Sequence, residues 1–133
     1  AKVPDGAVVM IHDGVRPFVG KELIIKMLSM MGEGCRALIP VLPVTDTLRS
    51  VDPASPAPDR SRIVAVQTPQ AFLSEDIKKA YARPYELCFT DDASVAERAG
   101  MKVDMVEGEK FNIKITTPDD LVFADAILSR QGL

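Results

Sequence analysis

Two polar residues directly after a short apolar run are the first candidates for chemistry in this sequence. Asp13 comes two residues after the run Val8–Ile11, and Arg16 follows three residues later. A carboxylate at the end of a buried strand can hold a divalent metal against phosphate oxygens, because Mg²⁺ typically uses one or two carboxylates together with its substrate. The same pattern fits an aspartate that caps a loop and pairs with Arg16, and the spacing alone leaves both interpretations open.

Further along the chain, cationic and amide side chains stand where they could contact phosphate. Lys114 interrupts the apolar segment 113–115 beside Asn112, and a charge there is costly unless it faces a site or solvent. Residues 67–70, Gln-Thr-Pro-Gln, offer groups that could bond a base, a ribose or a phosphate, or simply form a turn. Arg60 carries a guanidinium, which fits phosphate well but is often only solvated.

Composition limits the classes of function that this chain can have. It has 133 residues, 47% of them hydrophobic, and a formal net charge of −3. Such a chain fits one domain, and the acidic balance argues against a nucleic-acid interface. The chain has no apolar stretch of about 18 residues, so we expect no membrane partner. Cys35 and Cys88 form no CxxC pair, and His12, the only histidine, has no partner ligands, so we expect reduced cysteines, a structural histidine and a cytoplasmic location.

The elements that must position these groups alternate between strand-like and helix-like patterns. This alternation predicts an α/β fold with a mostly parallel sheet and helices on both faces, in which the first strand is central and Pro40 marks an edge or an irregular exit. Ser74 and Thr90 are predicted helix caps. Strands are predicted at 8–11, 37–41, 102–106 and 112–115, and helices at 20–31, 74–82, 91–99 and from 117 onward.

One segment differs from the rest of the chain. Residues 47–50 and 63–66 are strand-like, and the Pro-rich residues 52–59 between them are typical of a turn. This pattern predicts a protruding β-hairpin arm at about residues 44–66. Because isolated hairpins are marginal in water, we expect the arm to lie against a second subunit.

Five segments, taken in order, resemble the 2-C-methyl-D-erythritol 4-phosphate cytidylyltransferase family. They are IHDGVRP at 11–17, PVTDTL at 43–48, Arg60 followed by QTPQAF at 67–72, TDDAS at 90–94 and NIKITTPDDL at 112–121. Val15 stands where the family usually has Ala, and Arg49 replaces a usual Lys. The resemblance implies a Rossmann-like fold of the nucleotide-diphospho-sugar transferase type and cytidylyl transfer from CTP to methylerythritol 4-phosphate. The products would be 4-diphosphocytidyl-2-C-methyl-D-erythritol and pyrophosphate, in the non-mevalonate isoprenoid pathway.

The resemblance also implies roles for the phosphate-handling residues. Asp13 would bind a divalent metal, Mg²⁺ or another, and with Arg16 would contact the nucleotide. Arg60 and Lys114 would be the catalytic residues, which position the substrate phosphate for attack on the α-phosphorus of CTP. Because that phosphate is already ionised at neutral pH, no general base is required.

Three threonines and the arm complete the implied site. Thr47, Thr68 and Thr90 would help Arg60 and Lys114 to hold the methylerythritol phosphate. The arm would make a homodimer and carry Thr47 and Arg60 into the partner's site. The implied location is the bacterial cytoplasm, or the plastid stroma in a plant.

The family's glycine-rich CTP loop has no counterpart in this sequence, which contains neither GxGxxG nor GxxxxGK[ST]. We therefore expect residues 1–133 to be the C-terminal part of one cytidylyltransferase domain, incomplete at its N-terminus and inactive alone. Two alternatives stay open at this point. One is a cytidylyltransferase for another polyol phosphate, such as ribitol 5-phosphate, and the other is a non-catalytic α/β dimerisation module.

Overall fold

The computed structural model describes residues 2–132, which form one open five-stranded sheet with helices on both faces. The strands are β1 Val8–Ile11, β2 Ala37–Pro43, β3 Val64–Val66, β4 Gln70–Leu73 and β5 Asp104–Glu107. The helices are α1 Lys21–Gly32, α2 Ser74–Tyr81, α3 Asp92–Arg98 and α4 Asp120–Gln131, and Arg60–Arg62 forms a 3₁₀ turn. The predicted α/β class is confirmed.

The sheet is mixed, whereas the sequence predicted a mostly parallel one. β4 lies between β1 and β2 and is antiparallel to both, β3 is antiparallel to β2, and β2 pairs with β5 in parallel. Consequently β1, β2 and β5 run in the same direction. The difference arises at Gln70–Leu73, which is a strand in the structure, whereas the sequence left a turn at residues 67–70 only as an open possibility. Two antiparallel strands can be joined without a crossover helix, so the pattern of predicted helices gave no sign of this strand.

A bulge separates β3 from β4 along the same side of β2. Val66 pairs with Val41, but Ala71 pairs with Leu38. The segment from Val66 to Ala71 is therefore two residues longer than the segment of β2 that it faces. Residues 67–69 contain the excess and have no paired position on β2, although the Gln67 amide still donates to the Pro40 carbonyl at 2.8 Å. Because β-bulges re-aim side chains at sheet ends and next to sites, this is where the sheet can direct a polar group outward.

The core lies in two layers, one on each face of the sheet. Leu38 of β2 packs with α1 on one face, and Phe72 of β4 packs with α2 and α3 on the other. Neighbouring strand residues point to opposite faces, so these short strands serve both layers. Burying one such large side chain contributes about 1.5–3 kcal/mol. The prediction of helices on both faces is therefore confirmed.

Two strands occupy positions in the sheet of residues 2–132 that differ from their predictions. Pro40 lies in the central strand β2 and is fully buried, because it stands opposite the bulge, where the interrupted ladder tolerates a missing N–H. β1 borders the described sheet and pairs with β4, and Val8 keeps 36% of its surface exposed. The predicted central strand is thus an edge strand of residues 2–132.

Other local predictions differ by small amounts or fail. Residues 47–50 and 112–115 are not strands. The predicted caps are each displaced by one residue, because Leu73 precedes α2 and Asp91 caps α3 in a capping box with Ser94. The hydroxyl of Ser74 donates instead to the Pro4 carbonyl, at 2.7 Å.

Candidate active site

The polar groups predicted from the sequence gather at one end of the sheet. β1, β2 and β5 all direct their carboxyl ends there, and the bulge opens at the same end because Ile11 pairs with Gln70. In open α/β sheets this edge is where ligands bind. The loops that follow β1 and β5 therefore meet beside the bulge.

Asp13 is the charged centre of this cluster. Its Oδ2 lies 3.3 Å from the Nε of Arg16 and 3.3 Å from the Nζ of Lys114. Arg16 is held by a second contact, a 2.8 Å hydrogen bond from Nη1 to the Asn112 carbonyl. Lys114 keeps 48% of its side chain exposed, so its ammonium is available to an incoming anion. One carboxylate with two cations leaves a net positive site, which favours phosphate.

The environment of Asp13 keeps its carboxyl ionised. Burial raises its pKa, but hydrogen bonds and charges from Lys114 and Arg16 outweigh this effect, and the net pKa lies below the usual value of 3.8. The carboxylate is therefore available to a cation at neutral pH.

Thr68 lies in the bulge and is tied to both neighbouring loops. Its Oγ1 accepts a 3.0 Å hydrogen bond from the Asp13 amide and lies 2.9 Å from the Nδ1 of His12. Its carbonyl accepts a 2.8 Å hydrogen bond from the Nδ2 of Asn112. The sequence indicated Thr68 first as one of the polar residues 67–70 and then, through the family resemblance, as a substrate contact. A lone histidine carried no signal of its contact with Thr68.

A buried amide holds the loop after β5 against the bulge. Gln67, 7% exposed, donates from Nε2 to the Glu109 carbonyl at 2.8 Å and accepts from the Glu109 amide at 3.0 Å. Gly108 lies so close that an added Cβ would meet Gln67 Oε1 at 2.5 Å. This pairing fixes the position from which the chain continues to Asn112 and Lys114.

Thr90 is connected to the same end of the sheet through a second buried amide. Gln70, 1% exposed, donates to the Asp91 carboxylate and accepts from the Ala93 amide, each at 2.9 Å. Since Gln70 pairs with Ile11, the start of α3 is fixed beside the end of β1. Thr90 itself is exposed at that position.

Thr47 and Arg60 stand apart from the cluster. Both are exposed, and the Nη1 of Arg60 donates to the Thr45 carbonyl at 2.8 Å, within the same segment. Within residues 2–132, no hydrogen bond or ion pair joins Thr47 or Arg60 to Asp13 or Lys114. The structure thus brings together Asp13, Arg16, Thr68 and Lys114 and leaves the two arm residues outside.

The donor atoms at this end of the sheet restrict the kind of metal site. Across the described chain, no group of three or more His, Cys, Asp and Glu side chains is placed to enclose an ion. Asp13 supplies one hard carboxylate, which fits Mg²⁺ when most other ligands are waters and substrate phosphates. None of the helices in residues 2–132 has the length and apolar character needed to cross a bilayer.

Comparison with known proteins decides the family. The profile of 2-C-methyl-D-erythritol 4-phosphate cytidylyltransferase, IspD, matches residues 1–130. The chain belongs to this family. It is 42% identical to the cytidylyltransferase of Saccharopolyspora erythraea over 130 residues and 46% identical to that of Porphyromonas gingivalis over 129. Each match covers 96% of this chain and 58% of the relative.

Solved structures of the family share the fold. The Thermus thermophilus cytidylyltransferase superposes with a TM-score of 0.81 at 38% identity, covering 92% of this chain and 62% of that one. The Francisella tularensis enzyme gives 0.84 at 30% identity, covering 94% and 61%. The chain thus spans about three fifths of the length of the relatives that it matches.

Proposed function

We propose that this chain forms the polyol-phosphate side of a cytidylyltransferase active site. The natural protein that contains it would convert CTP and 2-C-methyl-D-erythritol 4-phosphate into 4-diphosphocytidyl-2-C-methyl-D-erythritol and pyrophosphate, in the non-mevalonate isoprenoid pathway. The observation that carries the proposal is the contact of Asp13 with both Lys114 and Arg16, each at 3.3 Å, in a chain of the cytidylyltransferase family.

The chemistry requires placement and charge neutralisation more than proton transfer. A phosphate oxygen of the polyol phosphate forms a bond to the α-phosphorus of CTP, and the bond from that phosphorus to the bridging oxygen breaks, which releases pyrophosphate. Lys114, half-exposed beside Asp13, would hold the attacking phosphate, and Arg16 would contact the nucleotide phosphates. Such preorganised cations account for most of the catalysis in phosphoryl-type transfers.

Mg²⁺ is the cofactor that the donor set supports. Asp13 would hold it together with phosphate oxygens of CTP, and the bound ion would neutralise charge on those phosphates. The low pKa of Asp13, which Lys114 and Arg16 produce against the opposing effect of burial, keeps the carboxylate ready for this role.

The exposed arm supports a homodimer. The family resemblance assigns Thr47 and Arg60 to the substrate phosphate, yet they do not contact the Asp13 cluster of their own chain. A partner's arm that reaches over this cluster would complete the site, with Thr68, Thr90 and Lys114 supplied by one subunit and Thr47 and Arg60 by the other. We place the dimer in the cytoplasm, or in the plastid stroma in a plant.

Pyrophosphate release tests the reaction. The natural protein, given CTP, Mg²⁺ and methylerythritol 4-phosphate, is expected to release pyrophosphate and to do so far faster than with ribitol 5-phosphate. Faster turnover of ribitol 5-phosphate would assign the second polyol instead. If no pyrophosphate is released with either polyol phosphate, the protein is a non-catalytic module and the proposal is overturned.

A further inference from the structure

His12 makes two contacts that together orient the hydroxyl of Thr68. Its Nε2 lies 2.8 Å from the Arg16 carbonyl, and its Nδ1 lies 2.9 Å from the Thr68 Oγ1. A carbonyl oxygen can only accept, so Nε2 carries the proton. In the neutral ring Nδ1 is then an acceptor, and the Thr68 hydroxyl donates to it.

The remaining capacity of Thr68 follows from this assignment. A hydroxyl has one donor proton and two acceptor lone pairs. The proton is used on His12, and one lone pair accepts from the Asp13 amide at 3.0 Å. What is left for a ligand is a single lone pair, so in this arrangement Thr68 can accept a hydrogen bond but cannot give one.

An acceptor discriminates between the parts of a polyol phosphate. Ionised phosphate oxygens have no proton to donate, whereas each free hydroxyl of the polyol has one. Lys114 and Arg16 beside Asp13 are donors only, and they suit the phosphates. We propose that His12 is a positioning residue, which turns the Thr68 hydroxyl so that it accepts a hydrogen bond from a hydroxyl group of the polyol substrate. This inference rests on the proposed function, in which Thr68 already holds the polyol phosphate, and adds the role of His12 and the direction of the hydrogen bond.

Deoxy substrates with matched variants test the inference in the natural protein. Each free hydroxyl of the polyol phosphate is replaced in turn by hydrogen, and kcat and KM are measured for wild type, Thr68→Val and Thr68→Ser at pH 8. For one analogue the wild type is expected to lose about 10-fold in kcat/KM, mostly through KM, as for one hydrogen bond. With the full substrate, kcat/KM of Thr68→Val should be about 10-fold below that of the wild type. With that deoxy analogue, Thr68→Val should show no further loss. Thr68→Ser should discriminate between the two substrates as the wild type does.

Two substitutions of His12 separate positioning from mere support of the loop. His12→Asn keeps an amide oxygen near the position of Nδ1, where it can accept from the Thr68 hydroxyl. His12→Gln places its amide near the position of Nε2 and loses the hydrogen bond with Thr68. Discrimination against the deoxy analogue should survive in His12→Asn and fall about 10-fold in His12→Gln. Equal discrimination in the two variants would show that His12 does not orient Thr68.

The outcomes for the reaction and for this assignment can be told apart. Wild-type pyrophosphate release with the full substrate supports the proposed function whatever the variants do. If Thr68→Val then loses the same factor on every deoxy analogue as on the full substrate, Thr68 contacts no substrate hydroxyl and the inference is wrong. A wild type that releases no pyrophosphate overturns the proposed function and this inference with it.

Discussion

The Asp13 cluster and the loop part of the predicted arm, residues 44–63, carry cationic side chains of the same kinds in opposite settings. In the cluster, Lys114 and Arg16 contact one carboxylate, and buried amides tie the surrounding loops together. In the arm, Arg60 bonds the backbone of its own segment, and Val51 is fully exposed. One region is assembled by long-range contacts within the chain, and the other is held by local contacts.

This difference shows where the chain determines its site alone and where it needs more. Gln67 and Asn112 are buried and bridge elements distant in sequence, so the cluster exists in the free subunit. None of the described residues 44–63 is buried, and Asp59 is bonded within the arm by Ser61. Substitutions in the cluster should therefore affect both stability and turnover. Substitutions in the arm should affect turnover alone.

The largest effect is expected from removal of the cluster's exposed cation. Lys114→Met in the natural protein should lower kcat by about 10²–10³-fold, because the ammonium proposed to hold the attacking phosphate is lost. Steady-state pyrophosphate release measures this change. Lys110→Met, an exposed lysine of the same loop, is the matched control and should stay near wild type. A Lys114→Met enzyme as active as this control would remove the lysine from the site.

Packing inside the cluster gives the next largest effect. Gly108→Ala should reduce the free energy of unfolding by about 1–3 kcal/mol, since the new methyl group would meet Gln67, which Glu109 holds on both sides. Urea denaturation of the natural protein measures it. Gly14→Ala, which meets open space beside the same site, should change stability by less than about 0.5 kcal/mol. Equal effects at the two glycines would mean that the Gln67 contact is not tight.

The arm should show the reverse pattern. Thr47→Ala removes an exposed hydroxyl, so the free energy of unfolding should change by less than about 0.5 kcal/mol. KM for the polyol phosphate should nevertheless rise about 10-fold if Thr47 contacts the substrate from the partner's arm. Urea denaturation and steady-state kinetics on the same preparation check both halves. A stability loss like that of Gly108→Ala would contradict the contrast between the regions.

The smallest effect concerns the titration of Asp13. Lys114→Met should raise the pKa of Asp13, because burial persists while a hydrogen bond and a positive charge are removed. Carboxyl ¹³C NMR follows the titration, with Asp59 as control. Hydrogen bonds from Ser61 lower the pKa of that exposed arm residue, so the loss of Lys114 should not change it. An unchanged Asp13 titration would show that Lys114 does not contact the carboxylate in solution.

The same shift predicts how acid affects stability. The pKa of Asp13 is lower in the folded protein than its usual 3.8, so its ion pairs stabilise the fold above that pH. The contribution is lost as the pH falls below 3.8 and through the folded pKa. Lys114→Met should therefore weaken the fall of the urea midpoint over this acidic range relative to wild type.

Sequence reasoning succeeded where periodicity is local. The apolar run Val8–Ile11 and the stripe of α1 gave their elements within a residue, and the five ordered motifs gave the family. It failed at β4, because Gln70–Leu73 is four residues long and follows a proline turn. That strand converts a parallel expectation into a mixed sheet, and only the cross-strand register reveals it.

For the site, sequence indicated residue types but not their contacts. Asp13 with Arg16 was readable from spacing, whereas the meeting of Asp13 with Lys114 depends on how the loop after β5 returns. Nothing in the sequence indicated the contacts of His12. One partner is a backbone carbonyl, and the other is a hydroxyl in a bulge that no sequence pattern predicted. The roles of Thr47 and Arg60 stay predictions, since the described chain does not bring them to Asp13.

Subunit mixing tests most directly the claim that one chain assembles the cluster and another supplies the arm. Lys114→Met and Arg60→Ala proteins, each nearly inactive alone, are unfolded, mixed in equal amounts and refolded together. In a mixed dimer, one site keeps an intact cluster and receives an intact arm, so about a quarter of wild-type activity should return. Activity that stays at the level of the separate variants would contradict the account and place Arg60 and Lys114 in the same subunit's site.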